Sequence, residues 1–260
     1  MKEWIAPFLI FSILGTTPVN ASVSPIICRS NLPAGTVCVK KIITLRPTQP
    51  EIGKYEIHLK RKKYAKKLKG ADHYQQKLEA MKVESTAPVI IGPDGNYYLL
   101  DHHHTALTLH EMGEKEMYVK VESNWTSLGK GQSMEKRMVL FWKQLEERNL
   151  CYLKSAEGVM MDPLSAAFPK NLLECGDNKL RSLVYLLIKD GTIVKTGIKY
   201  DEFYKAEVLQ NLGITVTDDD YEKEVAIAKE RLSSPTGIEA MEAATKRQCR
   251  MNVLRKAFDH

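Results

Sequence analysis

The sequence predicts an α+β protein: a small mixed α/β domain over residues 36–125, then a mostly helical region over residues 130–260. Three observations carry this. Short β-branched runs alternate with helical segments in the first half, a Gly- and Pro-containing turn joins two apolar runs near its centre, and five stretches with helical spacing fill the second half. The chain has 260 residues, 43% hydrophobic and 27% charged, with 15 Gly and 11 Pro. These values exclude a disordered or collagen-like chain, and a core can form at this length without help from disulfides.

The first 21 residues read as an export signal. Lys2 precedes the apolar run Ile5-Ala6-Pro7-Phe8-Leu9-Ile10-Phe11-Ser12-Ile13-Leu14, and Val19-Asn20-Ala21 offers small or β-branched residues before a cut at Ser22. That run is too short to span a bilayer, and no later segment approaches 18 uninterrupted apolar residues, so no stable membrane insertion is expected. The mature protein is expected in the periplasm or outside the cell. The competing reading is a buried N-terminal helix, favoured by Glu3 and Pro7. An oxidising compartment would let Cys28, Cys38, Cys151, Cys175 and Cys249 pair with one left over. Cys28 with Cys38, bracketing a turn-rich segment, and Cys151 with Cys175 are the plausible pairs, and no spacing among the five is a CxxC zinc motif.

Residues 36–45, with Val37, Val39, Ile42 and Ile43, predict a strand that Arg46-Pro47-Thr48-Gln49-Pro50 stops. A basic helix follows, then a second helix over residues 71–83. Pro88-Val89-Ile90-Ile91 and Tyr97-Tyr98-Leu99-Leu100 flank the turn Gly92-Pro93-Asp94-Gly95-Asn96, so they form a hairpin. Residues 106–113 read as a helix ended by Gly113, and residues 117–121 as a returning strand. Helical spacing recurs over residues 133–149, 179–190, 199–211, 218–232 and 238–258, and residues 150–169 read as a long connector, with an ordered loop or substrate-proximal flap as the competing reading. Asn124-Trp125-Thr126 fits a glycosylation sequon.

The net charge of +6 is local. Residues 58–69 hold seven basic side chains (Lys60, Arg61, Lys62, Lys63, Lys66, Lys67, Lys69) and no acid, and the remaining 31 basic residues face 32 acidic ones. Such a run suits a polyanion-facing patch, and a solvated helix face is the competing reading.

Asp101-His102-His103-His104 lies where a strand ends and a helix begins. Free backbone N–H groups and the positive end of the helix dipole meet there, so the junction can hold a phosphate, and imidazoles beside it can donate to phosphate oxygens or move protons. Asp101 is also a plausible helix N-cap. Three consecutive helical histidines point about 100° apart and cannot converge on one ion. Asp101 with His104, or His103 with His110, would share a face, which leaves a divalent metal open as cofactor. Arg181 opens another helix, where it could contact substrate or form a salt bridge between the two halves.

These segments resemble the ParB-like nuclease family. The resemblance rests on Leu45-Arg46-Pro47-Thr48-Gln49 with Gly53 and the Lys60 region, on Pro88-Val89-Ile90, on Gly92-Pro93-Asp94-Gly95, and on Tyr98-Leu99-Leu100-Asp101-His102-His103-His104. It continues in Lys179-Leu180-Arg181-Ser182-Leu183 and Tyr200-Asp201-Glu202-Phe203, covering roughly residues 40–210. It implies a ParB/sulfiredoxin-like fold whose strand-to-helix box binds nucleotide phosphates or DNA. Relatives often carry Gly-x-x-Arg in that box, where this chain has His102 and Thr105. Phosphate contacts would then fall to the histidines and to Arg46, Gln49, Lys60, Lys62 or Arg181. Three functions follow as expectations: a nuclease or other phosphodiester-directed enzyme acting through Asp101, His102, His103 and His104; a non-catalytic nucleic-acid or partner-binding module; and a nucleotide-using phosphotransfer enzyme. Nucleic acid or another polyphosphate is the expected partner.

Overall fold

The structure, a computed structural model, describes residues 26–70, 73–217 and 220–258, with side chains to residue 246. The segment expected to be an export signal and the side chain of Cys249 lie outside the described residues. In chain order the elements are β1 (Val37–Lys41), β2 (Leu45–Arg46), β3 (Glu51–Ile52), α1 (Lys54–Leu68), α2 (Tyr74–Glu84), β4 (Ala87–Ile91), β5 (Tyr97–Leu99), α3 (His103–Glu111) and β6 (Glu116–Asn124). They are followed by α4 (Met134–Glu147), β7 (Gly176–Asp177), α5 (Lys179–Lys189), α6 (Asp201–Asn211), α7 (Tyr221–Leu232) and α8 (Pro235–Phe258). The fold is mixed α and β, as expected.

Five strands form one sheet in the order β1-β6-β4-β5-β2. The β4–β5 hairpin is antiparallel, with Val89 opposite Leu99 and Ile91 opposite Tyr97. In its turn the Asp94 carboxylate accepts from Asn96 N and from Tyr98 Oη. A Cβ on Gly92 would sit 2.6 Å from the Tyr98 ring, so only glycine lets that ring lie across the turn.

Alternation along β4 and β5 feeds two cores. Val89, Ile91 and Leu99 pack with Ile57 of α1 and Leu107 and Leu109 of α3, whereas Ile90, Tyr98 and Leu100 pack with Phe141, Trp142 and Leu145 of α4. Successive strand side chains point to opposite faces, which is why neighbours in sequence enter different cores. A third core joins Leu183 and Leu187 of α5 to Leu209 of α6 and Ala228 of α7. Leu172 and Cys175 from the second half enter the first core, and β3 pairs in parallel with β7 through Glu51–Gly176 and Ile52–Asp177.

Two sequence expectations need correction. The strand expected over residues 36–45 is broken by a 3-10 turn at Ile42–Thr44, where the Thr44 hydroxyl donates to the Lys41 carbonyl at 2.8 Å and competes with strand pairing. Cys28 and Cys38 form a disulfide, but Cys151 and Cys175 are free, buried thiols in two different cores. The sequon is occupied structurally: Asn124 Nδ2 donates to the carbonyls of Ser30 and Leu32, and its Oδ1 accepts from Thr126.

Candidate functional site

The strand-to-helix junction after β5 forms one wall of a cavity of about 300 Å³. The opposite walls come from α1 (Glu56, Lys60), α5 (Arg181) and the segment leading into α6 (Lys195, Lys199, Tyr200, Glu202). Four cationic side chains, Lys60, Arg181, Lys195 and Lys199, line it against three carboxylates, Glu56, Asp101 and Glu202.

Each residue of the Asp-His-His-His box has a different environment. The N-cap of α3 is His102, not Asp101, and it sits in the left-handed region at φ 67°. That region favours glycine, so the backbone here keeps a glycine-like shape although the side chain is imidazole. Asp101 is exposed and accepts from His102 N at 2.6 Å. His102 is half-buried, and its Nδ1 lies 3.0 Å from the Ser85 carbonyl. That oxygen can only accept, so Nδ1 carries the proton and Nε2 is the basic atom of the ring.

His103 and His104 also line the cavity, but their rings are taken up by the backbone of another segment. His103 Nε2 accepts from Thr48 N at 3.3 Å, and His104 Nε2 accepts from Gly53 N at 2.9 Å. Both rings are buried, and burial pushes their pKa values down to about 4 and about 3. Neutral imidazoles in these contacts hold their protons on Nδ1 and pin the segment from Thr48 to Gly53 against α3. Gly53 is needed where α1 meets α5, since a Cβ there would lie 2.6 Å from Ser182 Oγ. The imidazoles do not fit a divalent cation, because a ring nitrogen that accepts an N–H bond cannot also ligate. Among the described residues no group of three His, Cys, Asp or Glu side chains is arranged to hold a metal ion.

Glu56 gathers the charges beneath the cavity. It meets Arg181 Nη1 at 2.5 Å, Lys60 Nζ at 2.8 Å and His104 Nε2 at 3.6 Å. Burial would raise the affinity of its carboxyl for a proton, but Arg181 and Lys60, joined by His104 once that ring takes a proton in acid, more than reverse this and hold it well below the usual carboxylate range. Glu202 behaves similarly: burial is outweighed by Arg181 and Lys195, bringing it down to about 2. Arg181 thus bridges the two halves through Glu56 and also lines the cavity, with its Nε buried and unpartnered among the described residues.

A family model described as "Putative ParB-like nuclease" matches residues 38–211. The chain belongs to the ParB-like nuclease family. It is also similar to the crystal structure of protein Atu1540 from Agrobacterium tumefaciens, at 28% identity and a TM-score of 0.60, covering 76% of this chain and 93% of that one. No curated protein matches it. Within this ParB-like chain the cavity brings together Asp101, His102, His103, His104, Lys60 and Arg181. Arg46 and Gln49 lie elsewhere: Arg46 lines a separate pocket, and the Gln49 amide donates to the Glu51 carbonyl at 2.8 Å. Lys62 is exposed on α1. Glu56, Lys195, Lys199, Tyr200 and Glu202 complete the cavity lining without having been singled out as contacts from sequence. No helix among the described residues is long and apolar enough to cross a membrane.

Proposed function

We propose that this protein is a phosphodiester-directed enzyme that binds nucleic acid or another polyphosphate in the cavity at the start of α3. The observation that carries this is His102, placed on the cavity wall with Nδ1 held by the Ser85 carbonyl and Nε2 left as a base among four cationic side chains. The imidazole takes a proton from water as its oxygen attacks phosphorus, and the bond to the leaving oxygen breaks, that oxygen being protonated from solvent. Lys60, Arg181 and Lys195 neutralise phosphate charge, and the N–H groups of the first turn of α3 add to them. Asp101 positions the backbone of His102, while His103 and His104 position the segment from Thr48 to Gly53. The exposed lysines of α1, including Lys62, Lys63, Lys66 and Lys67, hold the polyanion beyond the cavity. In this reading residues 36–125 and 130–260 form two parts of a single working unit, because the cavity takes walls from both.

The test is cleavage and binding of single- and double-stranded DNA and RNA, with and without divalent cation, across a salt series. His102→Gly suits φ 67° and should leave folding intact while lowering turnover by about 10²- to 10⁴-fold. Changing Lys62, Lys63, Lys66 and Lys67 to Gln should weaken binding and flatten its salt dependence with kcat unchanged. Full cleavage by His102→Gly would sink the reading. A specific observation favours a second one: His103 and His104 spend Nε2 on backbone donors, leaving one basic imidazole in the box. Salt-sensitive binding without turnover would support a binding module.

We also propose export to the periplasm or beyond, supported by the Cys28–Cys38 disulfide. N-terminal sequencing of protein from the exported fraction should begin at Ser22, and a retained Met1 would overturn this.

A further inference from the structure

Arg46 stands outside the histidine cavity, in a pocket of about 180 Å³ bounded by β2, the turn at Asp94, α4 and the segment carrying Pro163 and Phe168. We propose that this pocket binds a small monocarboxylate with a single-ring apolar body.

The walls set the apolar part of that ligand. Tyr98, Trp142 and Phe168 are buried, with Tyr98 and Trp142 ring centres 5.7 Å apart and Trp142 and Phe168 5.4 Å apart, both edge to face. Pro47, Pro163 and Pro169 add rigid surface. Side chains already held in place lose little freedom when a ligand enters. The volume corresponds to about six liquid water molecules, below the range of pockets for drug-sized ligands, so one ring with a short polar arm fills it.

The charges set the polar part. Asp94 already accepts from Asn96 and Tyr98 inside the turn. Lys170 Nζ donates to the Ser165 carbonyl at 2.8 Å. Arg46 gives Nη1 to the Lys170 carbonyl, and the other donors of its half-buried guanidinium have no side-chain or carbonyl partner among the described residues. One planar fork beside an apolar pocket matches a carboxylate in geometry and charge. Arg46 and Lys170 against Asp94 leave the lining one positive charge, which a monocarboxylate balances, whereas a phosphate dianion would leave a negative charge over and a cationic ligand would add a positive one.

The experiment titrates the full chain with phenylacetate, phenylacetamide, phenyl phosphate and benzylamine, followed by tryptophan fluorescence and by calorimetry. Phenylacetate, with about ten non-hydrogen atoms, should bind saturably with half-saturation between about 10 μM and 1 mM, and the amide and amine should not. Arg46→Met should weaken it by about ten- to a hundredfold, and Arg46→Lys by less, because the charge stays and the fork is lost. No saturable signal by either method, equal binding of phenylacetamide, or tighter binding of phenyl phosphate would each overturn the proposal. If Arg46→Met does not fold, the comparison of acid with amide on the unaltered chain still decides it.

Discussion

Lowering the pH from 7 to 5 should remove about 4 kcal/mol of folding stability through His103 and His104 alone, because each buried imidazole refuses a proton that the unfolded chain accepts. The sign follows from the two pKa values. An unfolded imidazole protonates below about 6.5, whereas the folded groups titrate at about 4 and about 3. Between those limits the unfolded state binds more protons, so stability is fully present above about pH 6.5 and drains away as pH falls, by about 1.4 kcal/mol per pH unit for each ring. For a chain of this size the midpoint of thermal unfolding should drop by roughly 8 to 16 °C. Differential scanning calorimetry at pH 7, 6 and 5 measures it. The double variant His103→Gln/His104→Gln keeps an acceptor near each backbone N–H but cannot titrate, so its melting temperature should vary much less over that range. An unaltered chain whose melting temperature is flat from pH 7 to 5 would show that the imidazoles are not buried in the neutral form.

The same two residues show what a sequence can and cannot disclose. Their position was legible: apolar runs on either side of a Gly-Pro-Asp-Gly turn fix a hairpin, and the polar block that follows has to start a helix. Their role was not, since a histidine that binds phosphate and one that accepts a backbone N–H from a distant loop look alike in one dimension. The partner atoms belong to Thr48 and Gly53, about fifty residues earlier, and become neighbours only when α1 packs against α3. The two-residue strands β3 and β7 left no signal either, being too short for alternation to register.

The far wall of the cavity was hidden for a related reason. Lys195, Lys199 and Glu202 lie roughly a hundred residues beyond the histidines, in a segment whose composition is ordinary for a surface connector. The available signal was the resemblance over Tyr200-Asp201-Glu202-Phe203, which marked the segment without assigning it to the site. The basic helix was plain from charge counting. That Lys60 leaves the run to pair with Glu56, while Lys62 stays exposed, depends on which face of α1 meets α5. The resemblance marked Arg46 and Gln49 as phosphate contacts, yet β2 carries Arg46 toward α4 and away from α3.

Arg181→Ala should cost about 3 to 5 kcal/mol, lowering the thermal midpoint by roughly 6 to 20 °C, because it strands a carboxylate that is almost wholly enclosed. Glu56 is 3% exposed and Arg181 6%, and their contact joins α1 to α5. With the guanidinium gone, Lys60 is the cation left beside Glu56, and Glu202 keeps Lys195. The acid limb reports the same loss. A carboxyl held below its usual range contributes stability that is present above about pH 4.3 and lost as pH falls through its folded value. In Arg181→Ala that value rises toward normal, so the variant should lose less on acidification below pH 4 than the unaltered chain does. Adding Glu56→Gln removes the stranded charge and should recover more than half of the deficit in urea unfolding at pH 7. A deficit below about 0.5 kcal/mol for Arg181→Ala would mean that water reaches Glu56 and that the bridge is a surface contact. The double variant then separates two duties of one residue: if it folds well but binds polyphosphate weakly, Arg181 serves the cavity as well as the fold, and if its binding is unchanged, the guanidinium serves the fold alone.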